Sequence, residues 1–310
     1  MSRIAAVAIA RAGARGHKRI MQSRITSTIL FLALAAMPAA GCHHGPSGHH
    51  GPSDHGPSGH QAPAAPHETV TEAAIAVPIR ADRTAAWEAA LRELVGPRYE
   101  EYRASRTRFG LTSQTTFLQH TPMGDLALIH VTGPDIHRAF HAMSSSREPW
   151  DVKWREMTHD LHGIDFAQGA RVMPAITKAF EMASGDVAGT SPFLFAVPID
   201  PQRIADVRAL AAELTGPRRA EHVRSRERIG VRRELAFLET TGAGAALVVY
   251  WRAADPQASL RRLVDSTEPF DRWLAEAVAP LHPVPLATLV DTVSANRLIA
   301  QYPEPERDER

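Results

Sequence analysis

The chain has 310 residues, of which 44% are hydrophobic, a formal net charge of +1 and one cysteine. This length is enough for one or two packed domains, and one cysteine excludes both an internal disulfide framework and a cysteine-based zinc cluster. Residues 1–41 contain six Lys or Arg and no Asp or Glu, which leaves 29 basic against 34 acidic residues in the remainder. An acidic body does not attract phosphate backbones, so the charge argues against nucleic acid as a partner.

The first 41 residues are predicted to be a signal peptide. Nine apolar residues run without interruption from Ile29 to Met37, with Arg24 as a positive flank. The run is too short to cross a bilayer, which needs about 20 residues, but it fits the apolar region of an export signal. Met21 is an alternative start, because a signal beginning there has ordinary proportions.

The tetrapeptide Ala39-Ala-Gly-Cys42 resembles the lipobox of bacterial lipoproteins. The resemblance implies a diacylated Cys42 and a protein attached by this lipid to a membrane of the bacterial cell envelope, at the outer membrane or the periplasmic face. His43 follows where an inner-membrane retention signal would have Asp. Ala39 stands where Leu is usual, so cleavage by the ordinary signal peptidase and an uncleaved anchor remain alternatives.

Residues 42–67 are predicted to be a disordered tether. Residues 43–67 hold seven His, five Gly and five Pro, and they contain no Val, Ile, Leu, Met or aromatic residue. Such a segment has nothing to bury against the entropy cost of ordering. Its imidazoles would bind Zn, Ni or Cu ions loosely, and the alternative is a low-complexity spacer. The candidate ligands are His43, His44, His49, His50, His55 and His60.

The rest of the chain contains one pattern twice. Residues 76–162 align with residues 196–282 at a constant offset of 120 without gaps, and 29 of the 87 positions are identical. We interpret this as a tandem duplication. It predicts a first repeat over residues 68–185, a second over residues 186–300 and a disordered tail over residues 301–310.

Each repeat is predicted to contain the same elements in the same order. In the first, a strand ends at Pro78, helices cover about 82–94 and 97–110, and strands at 115–120 and 125–131 form a hairpin. Asp135 is predicted to cap the next helix, and a last helix ends near His162. The corresponding hairpin strands of the second repeat are 235–239 and 245–251. Fourth strands are expected at 286–293 and 166–173.

This order of elements is the split βαβ arrangement. It predicts an α+β fold in which two ferredoxin-like βαββαβ repeats pack sheet against sheet as an intramolecular, monomeric pseudo-dimer. The pattern resembles the dimeric α/β-barrel superfamily over about residues 74–293, and the repeated Gly-Pro-Arg, Ser-Arg-x-Arg-x-Gly and Glu-Pro-aromatic-Asp motifs are similar to an uncharacterised bacterial family. The superfamily includes haem-degrading and cofactor-independent monooxygenases, although none of their catalytic residues can be matched here.

A polar stripe on one predicted helix is the main candidate site. Spacings of 3, 4 and 3 place its four side chains on one narrow helix face in each repeat. They would line a pocket for a small anionic ligand, with Tyr102 and His130 beside them. The alternative is an intrahelical Arg–Glu pair on a solvated face or at the helix–sheet contact, which Arg106 and Arg226 favour because they lie off the stripe. The stripe residues are Arg98, Glu101, Ser105 and Arg108, repeated as Arg218, Glu221, Ser225 and Arg228.

Other histidines carry weaker hypotheses. His162 and His282 are expected to cap predicted helix ends. His137 and His141 have the i, i+4 spacing of metal ligands, but the second repeat has Gln257 at the first of these positions and coincidence is the alternative. No Walker loop, nucleophile elbow or Cys–His arrangement is present, so no cofactor is evident.

These observations favour an exported, lipid-anchored envelope protein that acts as a ligand-binding or accessory module. The alternative is a small-molecule monooxygenase-like enzyme that uses the space between helices and sheet, which only the superfamily resemblance implies. The sequence leaves open whether the protein is an enzyme.

Overall fold

The computed structural model describes residues 69–166, 174–242 and 244–303, in which the same succession of elements occurs twice. The first half comprises β1 (Glu72–Pro78), α1 (Thr84–Leu94), α2 (Tyr99–Arg108), β2 (Ser113–Thr121), β3 (Gly124–Thr132), α3 (Ile136–Ser145), α4 (Pro149–His162) and β4 (Ala175–Ala183). The second half comprises β5 (Ser191–Ile199), α5 (Ile204–Thr215), α6 (Arg219–Ile229), β6 (Val231–Thr241), β7 (Gly244–Ala253), α7 (Pro256–Val264), α8 (Pro269–Val278), α9 (Leu286–Ser294) and β8 (Arg297–Tyr302).

The helix boundaries follow from short local signals. The Asp135 carboxylate accepts a hydrogen bond from the Arg138 backbone N–H at 2.9 Å and caps α3, as predicted, and Asp255 caps α7 in the same way. These contacts satisfy backbone donors that the first turn of a helix leaves unpaired. Gly230 ends α6 with a φ of 88°, a left-handed conformation that glycine adopts without steric cost.

Two antiparallel four-stranded sheets form, and each takes its last strand from the other half of the chain. Their strand orders are β1-β3-β2-β8 and β4-β6-β7-β5. Tyr302 of β8 lies opposite Gln114 of β2, and Met182 of β4 lies opposite Glu234 of β6. Tyr302 and Met182 are 120 residues apart, and so are Gln114 and Glu234. The two strand pairings are therefore equivalent, and the exchange of the fourth strands is reciprocal.

The fourth strands do not lie where the sequence predicts them. Residues 286–294 form helix α9, because Leu286, Leu289, Val290 and Val293 follow the i, i+3, i+4, i+7 spacing of an apolar helix face. The strand begins three residues later, at Arg297. In the first half, the strand lies at Ala175–Ala183, beyond the predicted 166–173, of which residues 167–173 are outside the described residues.

The main core lies between the two sheets. It contains residues of both, such as Phe117 and Phe193, whose rings meet edge to face with centroids 6.1 Å apart. His130 stacks on Tyr250 with centroids 3.9 Å apart and an interplanar angle of 6°. His130 and Tyr250 are also 120 residues apart. The predicted fold class is therefore confirmed: the chain is an α+β protein with two ferredoxin-like repeats packed as an intramolecular pseudo-dimer.

Among the described residues, no single helix has the length and apolar composition to span a membrane. The bent pair Pro269–Leu281 and Leu286–Ser294 meets that test only when its two parts are taken together. The predicted signal peptide, Cys42 and the histidine-rich tether all fall within residues 1–68, outside the described residues.

Candidate functional site

In the first repeat, the side chains of the polar stripe bind one another and helix α4. Arg98 pairs with Glu101 at 2.7 Å and lies 4.0 Å over the Trp150 ring. Ser105 donates to the Asp151 carboxylate at 2.7 Å, and Arg108 donates to both oxygens of Asp151 at 2.9 Å. The stripe thus joins α2 to α4 through Asp151.

The second repeat makes the same polar contacts, and its arginine stacks on a ring one helical turn further along, since Phe270 replaces Trp150. Arg218 pairs with Glu221 and lies 3.8 Å over the Trp273 ring, while Ser225 and Arg228 both donate to Asp271. Burial opposes ionisation of Asp271, but hydrogen bonds from its hydroxyl and guanidinium neighbours outweigh it and lower its pKa. The structure brings the stripe together in both repeats as a contact between helices.

The two residues predicted beside the stripe lie apart from each other. Tyr102 is buried against Tyr302 of β8, with ring centroids 5.8 Å apart. His130 lies between the sheets, where its Nε2 contacts Glu72 at 2.9 Å, and burial lowers its pKa. Glu72 is also bound by Arg233 of the second half.

Arg106, which the sequence analysis left outside the site, has the most unusual environment in the first repeat. It is only 2% exposed and extends from α2 toward the sheet. Its guanidinium donates to the neutral side chains of Gln114 at 3.2 Å and Ser105 at 3.3 Å, and its Nε has no hydrogen-bond partner among the residues that the structure describes. None of the ion pairs formed by residues 69–166, 174–242 and 244–303 includes Arg106. Within the described residues, this buried guanidinium therefore has no direct carboxylate partner; Asp151, which Arg108 binds, favours its charged form only from a distance.

Aromatic rings around the Arg106 guanidinium offset part of the cost of burying its charge. The guanidinium carbon of Arg106 lies 5.0 Å from the centroid of the Tyr102 ring and 5.2 Å from that of Trp154. Such contacts attract a cation but are weaker than a buried ion pair. Desolvation by burial is the main influence on Arg106 and lowers its pKa.

The equivalent arginine of the second repeat, Arg226, is paired with a buried carboxylate. Arg226 donates to Glu234 through Nε at 2.6 Å and through Nη2 at 3.2 Å. His222 and the Trp251 indole N–H also contact this carboxylate, at 2.7 and 2.9 Å. Burial opposes ionisation of Glu234, but Arg226 and His222 outweigh it and lower its pKa strongly. At the 120-residue offset, Gln114 replaces Glu234 and Val131 replaces Trp251.

A cavity of about 110 Å³ adjoins Arg106 between the sheet and the helices of the first repeat. We call it the Arg106 cavity. Most of its lining is apolar, and Arg98, Tyr102, Arg108 and His130 do not line it. Its lining includes Ile75, Val77, Trp87, Leu91, Arg106, Gln114, Thr116, Val131, Met143, Trp154, Met157 and His162. In the second repeat, Trp251 and Phe195 meet edge to face at 5.3 Å where the first repeat has the smaller Val131 and Ile75.

His162 lines the same cavity and has a defined tautomer. Its Nδ1 donates to the Pro78 carbonyl at 2.9 Å, since a carbonyl can only accept, which leaves Nε2 as an acceptor. Burial lowers its pKa, so the neutral imidazole is favoured. His282 makes the same contact with Pro198 at 2.7 Å. Both histidines bind the end of a strand rather than capping their own helices.

A comparison of the repeats would have identified Arg106 from sequence. The polar stripe is the same in both repeats, whereas the residue beside the shared arginine differs, being Gln114 in the first repeat and Glu234 in the second. In the described part of the chain, no group of three or more His, Cys, Asp or Glu is arranged to hold a metal ion.

Comparisons with known proteins give no family. No protein-family model matches the chain, and no curated protein does. Among solved structures, a proposed monooxygenase from Fusobacterium nucleatum is 9% identical, with a TM-score of 0.38 over 74% of this chain and 92% of that one. An anthrone oxidase-like protein is 10% identical, with a TM-score of 0.36 over 76% of this chain and 93% of that one.

A proposed monooxygenase from Lactobacillus acidophilus is 11% identical, with a TM-score of 0.36 over 69% of this chain and 90% of that one. These structural neighbours are monooxygenase-like proteins. At such low similarity, the chemistry of this chain has to be derived from its own side chains.

Proposed function

We propose that the protein binds a small organic anion in the Arg106 cavity. The observation that carries this proposal is a buried arginine without a direct carboxylate partner beside a cavity. In the second repeat, the equivalent Arg226 is paired with Glu234, and Trp251 stands at the position of Val131. An unpaired buried charge is costly, and a ligand carboxylate, phenolate or enolate would offset that cost. The planar guanidinium suits such oxygens, and Nε is free to donate.

The volume of the cavity limits the ligand to a short branched chain. An apolar cavity of about 150 Å³ holds benzene, and drug-sized ligands need about 300 Å³ or more. At about 110 Å³, the Arg106 cavity is smaller than the cavity that holds benzene. Its apolar walls, including Trp154 and Met157, would contact the body of the ligand while Arg106 holds the charge.

Two substitutions that copy the second repeat test this proposal. Gln114→Glu supplies the missing carboxylate, and Val131→Trp fills the space. In calorimetric titrations with isobutyrate, each variant should bind at least tenfold more weakly than the unmodified protein. Arg98→Gln, on the exposed end of the stripe, is the matched control and should bind normally. Unchanged affinity in Gln114→Glu, or loss of binding in Arg98→Gln alone, would contradict the proposal.

A monooxygenase-like enzyme is the second candidate, and His162 is the observation that favours it. Its neutral Nε2 would accept a proton from a carbon acid in the cavity, and Arg106 would hold the resulting enolate oxygen. The enolate would give two electrons to dioxygen and, with one proton, form a hydroperoxide on its carbon. Loss of the second proton from that carbon would then break the O–O bond, leaving one oxygen atom as a carbonyl and releasing the other as water, so that the CH2 group supplies all four electrons.

Oxygen uptake separates this candidate from simple binding. With a panel of short acyclic ketones and β-diketones, an enzyme would consume dioxygen, and His162→Gln would reduce the rate at least 100-fold. His282→Gln is the matched control, because His282 makes the same backbone contact in the second repeat. Binding without oxygen uptake by any member of the panel would leave the protein as a binding module.

Export and lipid attachment at Cys42 belong to the proposal as well. They are supported by the apolar run, the lipobox-like tetrapeptide and the position of the sole cysteine. Metabolic labelling with an alkynyl fatty acid in a Gram-negative host should mark the protein in the membrane fraction, and Cys42→Ser should abolish the label. Labelling that survives this substitution, or a cytosolic full-length protein, would contradict it.

The histidine-rich tether is proposed to bind Zn, Ni or Cu ions loosely. Its paired histidines offer imidazole nitrogens, which suit these ions, and their spacing in the sequence follows no fixed metal-site pattern. Titration of Zn²⁺ into the full-length protein should show weak binding that disappears when His43, His44, His49, His50, His55 and His60 are replaced by Ser. Equal binding by both proteins would identify the tether as a spacer.

A further inference from the structure

A second, larger cavity lies between the two sheets. Its volume is about 350 Å³, and we call it the inter-sheet cleft. Many of its lining residues come in pairs related by the 120-residue offset, so the two repeats form it jointly. The pairs are Ala76 with Ala196, Pro78 with Pro198, Gln119 with Glu239, Thr121 with Thr241 and Leu126 with Ala246. Leu289 and Thr292 of α9 line it as well.

The pair Gln119 and Glu239 breaks this symmetry. The Gln119 amide donates to the Ala196 carbonyl at 2.7 Å and accepts from the Ala196 N–H at 2.9 Å. It also accepts from Asn296 at 3.0 Å. Every polar atom of this side chain therefore has a partner.

The Glu239 side chain has fewer hydrogen-bond partners than that of Gln119. It is 6% exposed, and its Oε2 accepts from the Ala76 backbone N–H at 2.7 Å. Its Oε1 accepts no hydrogen bond from the described residues, and Ile176 stands at the offset position of Asn296. Among the residues that the structure describes, Glu239 is the only ionisable one that lines the inter-sheet cleft, and none of their Lys, Arg or His side chains forms an ion pair with it.

The surroundings of Glu239 disfavour its charge. Burial raises the pKa of Glu239 to about 7, and the single N–H donor of Ala76 opposes this only in part. A cation beside the carboxylate would restore the charged form and satisfy Oε1. An apolar cleft with one unpaired carboxylate is complementary to an apolar molecule that carries one positive charge.

We infer that the inter-sheet cleft binds a small hydrophobic amine as its ammonium ion, with Glu239 as the counter-charge. The ammonium group would donate to Oε1, and Gln119 has no free acceptor to compete for it. The apolar part would contact Leu126, Val197 and Leu289. This site is separate from the Arg106 cavity and takes a ligand of the opposite charge.

Calorimetric titration of the full-length protein with 2-phenylethylamine and its neutral analogue 2-phenylethanol tests this inference. The amine should bind at least tenfold more tightly than the alcohol. Glu239→Gln should remove that difference by weakening amine binding at least tenfold and leaving alcohol binding within twofold. This variant is expected to fold, because Gln119 already occupies the equivalent position and bonds both backbone groups of Ala196.

Val131→Trp, which fills the other cavity, should leave amine binding unchanged, so failure of the anion-binding proposal does not affect this result. The inference is overturned if the amine and the alcohol bind equally, if neither binds, or if Glu239→Gln retains the preference for the amine.

Discussion

Gln114 and Glu234 occupy equivalent positions beside two retained arginines, and they differ only by an amide in place of a carboxylate. In the second repeat, Glu234 completes a buried network with Arg226, His222 and Trp251. In the first, Arg106 donates to the neutral Gln114 and has no direct carboxylate partner among the described residues. The same backbone thus supports a buried ion pair in one repeat and an arginine beside a cavity in the other.

Substitution of the two arginines by methionine should have unequal effects on stability. Arg106→Met removes an uncompensated charge, so it should change the free energy of unfolding by less than about 1 kcal/mol or increase it. Arg226→Met leaves Glu234 buried without its main partner and should cost about 3–5 kcal/mol. Urea denaturation measures both values. Equal losses would mean that Arg106 is compensated by a group other than the rings around it.

The raised pKa of Glu239 should make the free energy of unfolding depend on pH. Its pKa in the folded state is about 7, above the unfolded value of 4.5, so the folded protein holds this proton more tightly. Stability should therefore fall as the pH rises from about 4.5 to 7, and a shift of this size corresponds to about 3 kcal/mol. Glu239→Gln removes the effect, so its stability relative to the unmodified protein should increase across this range. A constant difference between pH 4.5 and 8 would contradict the prediction.

At the scale of elements, the fourth strands join the two repeats. Tyr302 of β8 packs against Tyr102 in the first repeat, and Met182 of β4 is buried in the core shared with the second. Each strand covers the edge of a hairpin that belongs to the other half. Without β8, strand β2 would present an open edge, which is a site for aggregation.

Tyr302 provides the test of this docking. Tyr302→Ala should cost about 3–5 kcal/mol of unfolding free energy, because a large buried ring is removed. Tyr302→Phe should cost less than about 1 kcal/mol, since the contact between its hydroxyl and Thr107 is long at 3.4 Å. Thermal unfolding followed by circular dichroism distinguishes the two. A small effect of Tyr302→Ala would show that β8 contributes little to the first repeat.

At the scale of the molecule, the two halves form one cooperative body. They share the core between the sheets, the His130–Tyr250 stack and both exchanged strands. Since neither sheet is complete within its own half, unfolding of one half should expose the other. Such interdependence is expected to give a single unfolding transition for the body.

The first half expressed alone should dimerise. Residues 68–185 contain β4 but lack β8, so β4 of one copy can pair with β2 of a second copy and restore both sheets. Light scattering after size-exclusion chromatography should give twice the mass of the fragment. A folded monomer with a sharp unfolding transition would show that the sheets do not depend on each other.

Much of the architecture could be predicted because it is encoded locally. The 120-residue offset, the alternation of strand and helix patterns, and caps such as Asp135 and Asp255 depend on residues close together in the chain. The polar stripe on α2 and α6 was also visible, since side chains three and four apart share a helix face.

The exchange of β4 and β8 was decided only by the tertiary structure, because the periodicity of a strand does not specify which distant edge it pairs with. The same holds for the two cavities. The partners of the Arg106 charge depend on Gln114 and Val131, and those of the Glu239 carboxylate depend on Ala76. Folding, and not spacing along the chain, brings these residues close to the two charged groups. The sequence determined which charges exist, and the packing of two unequal repeats determined which of them lack a partner.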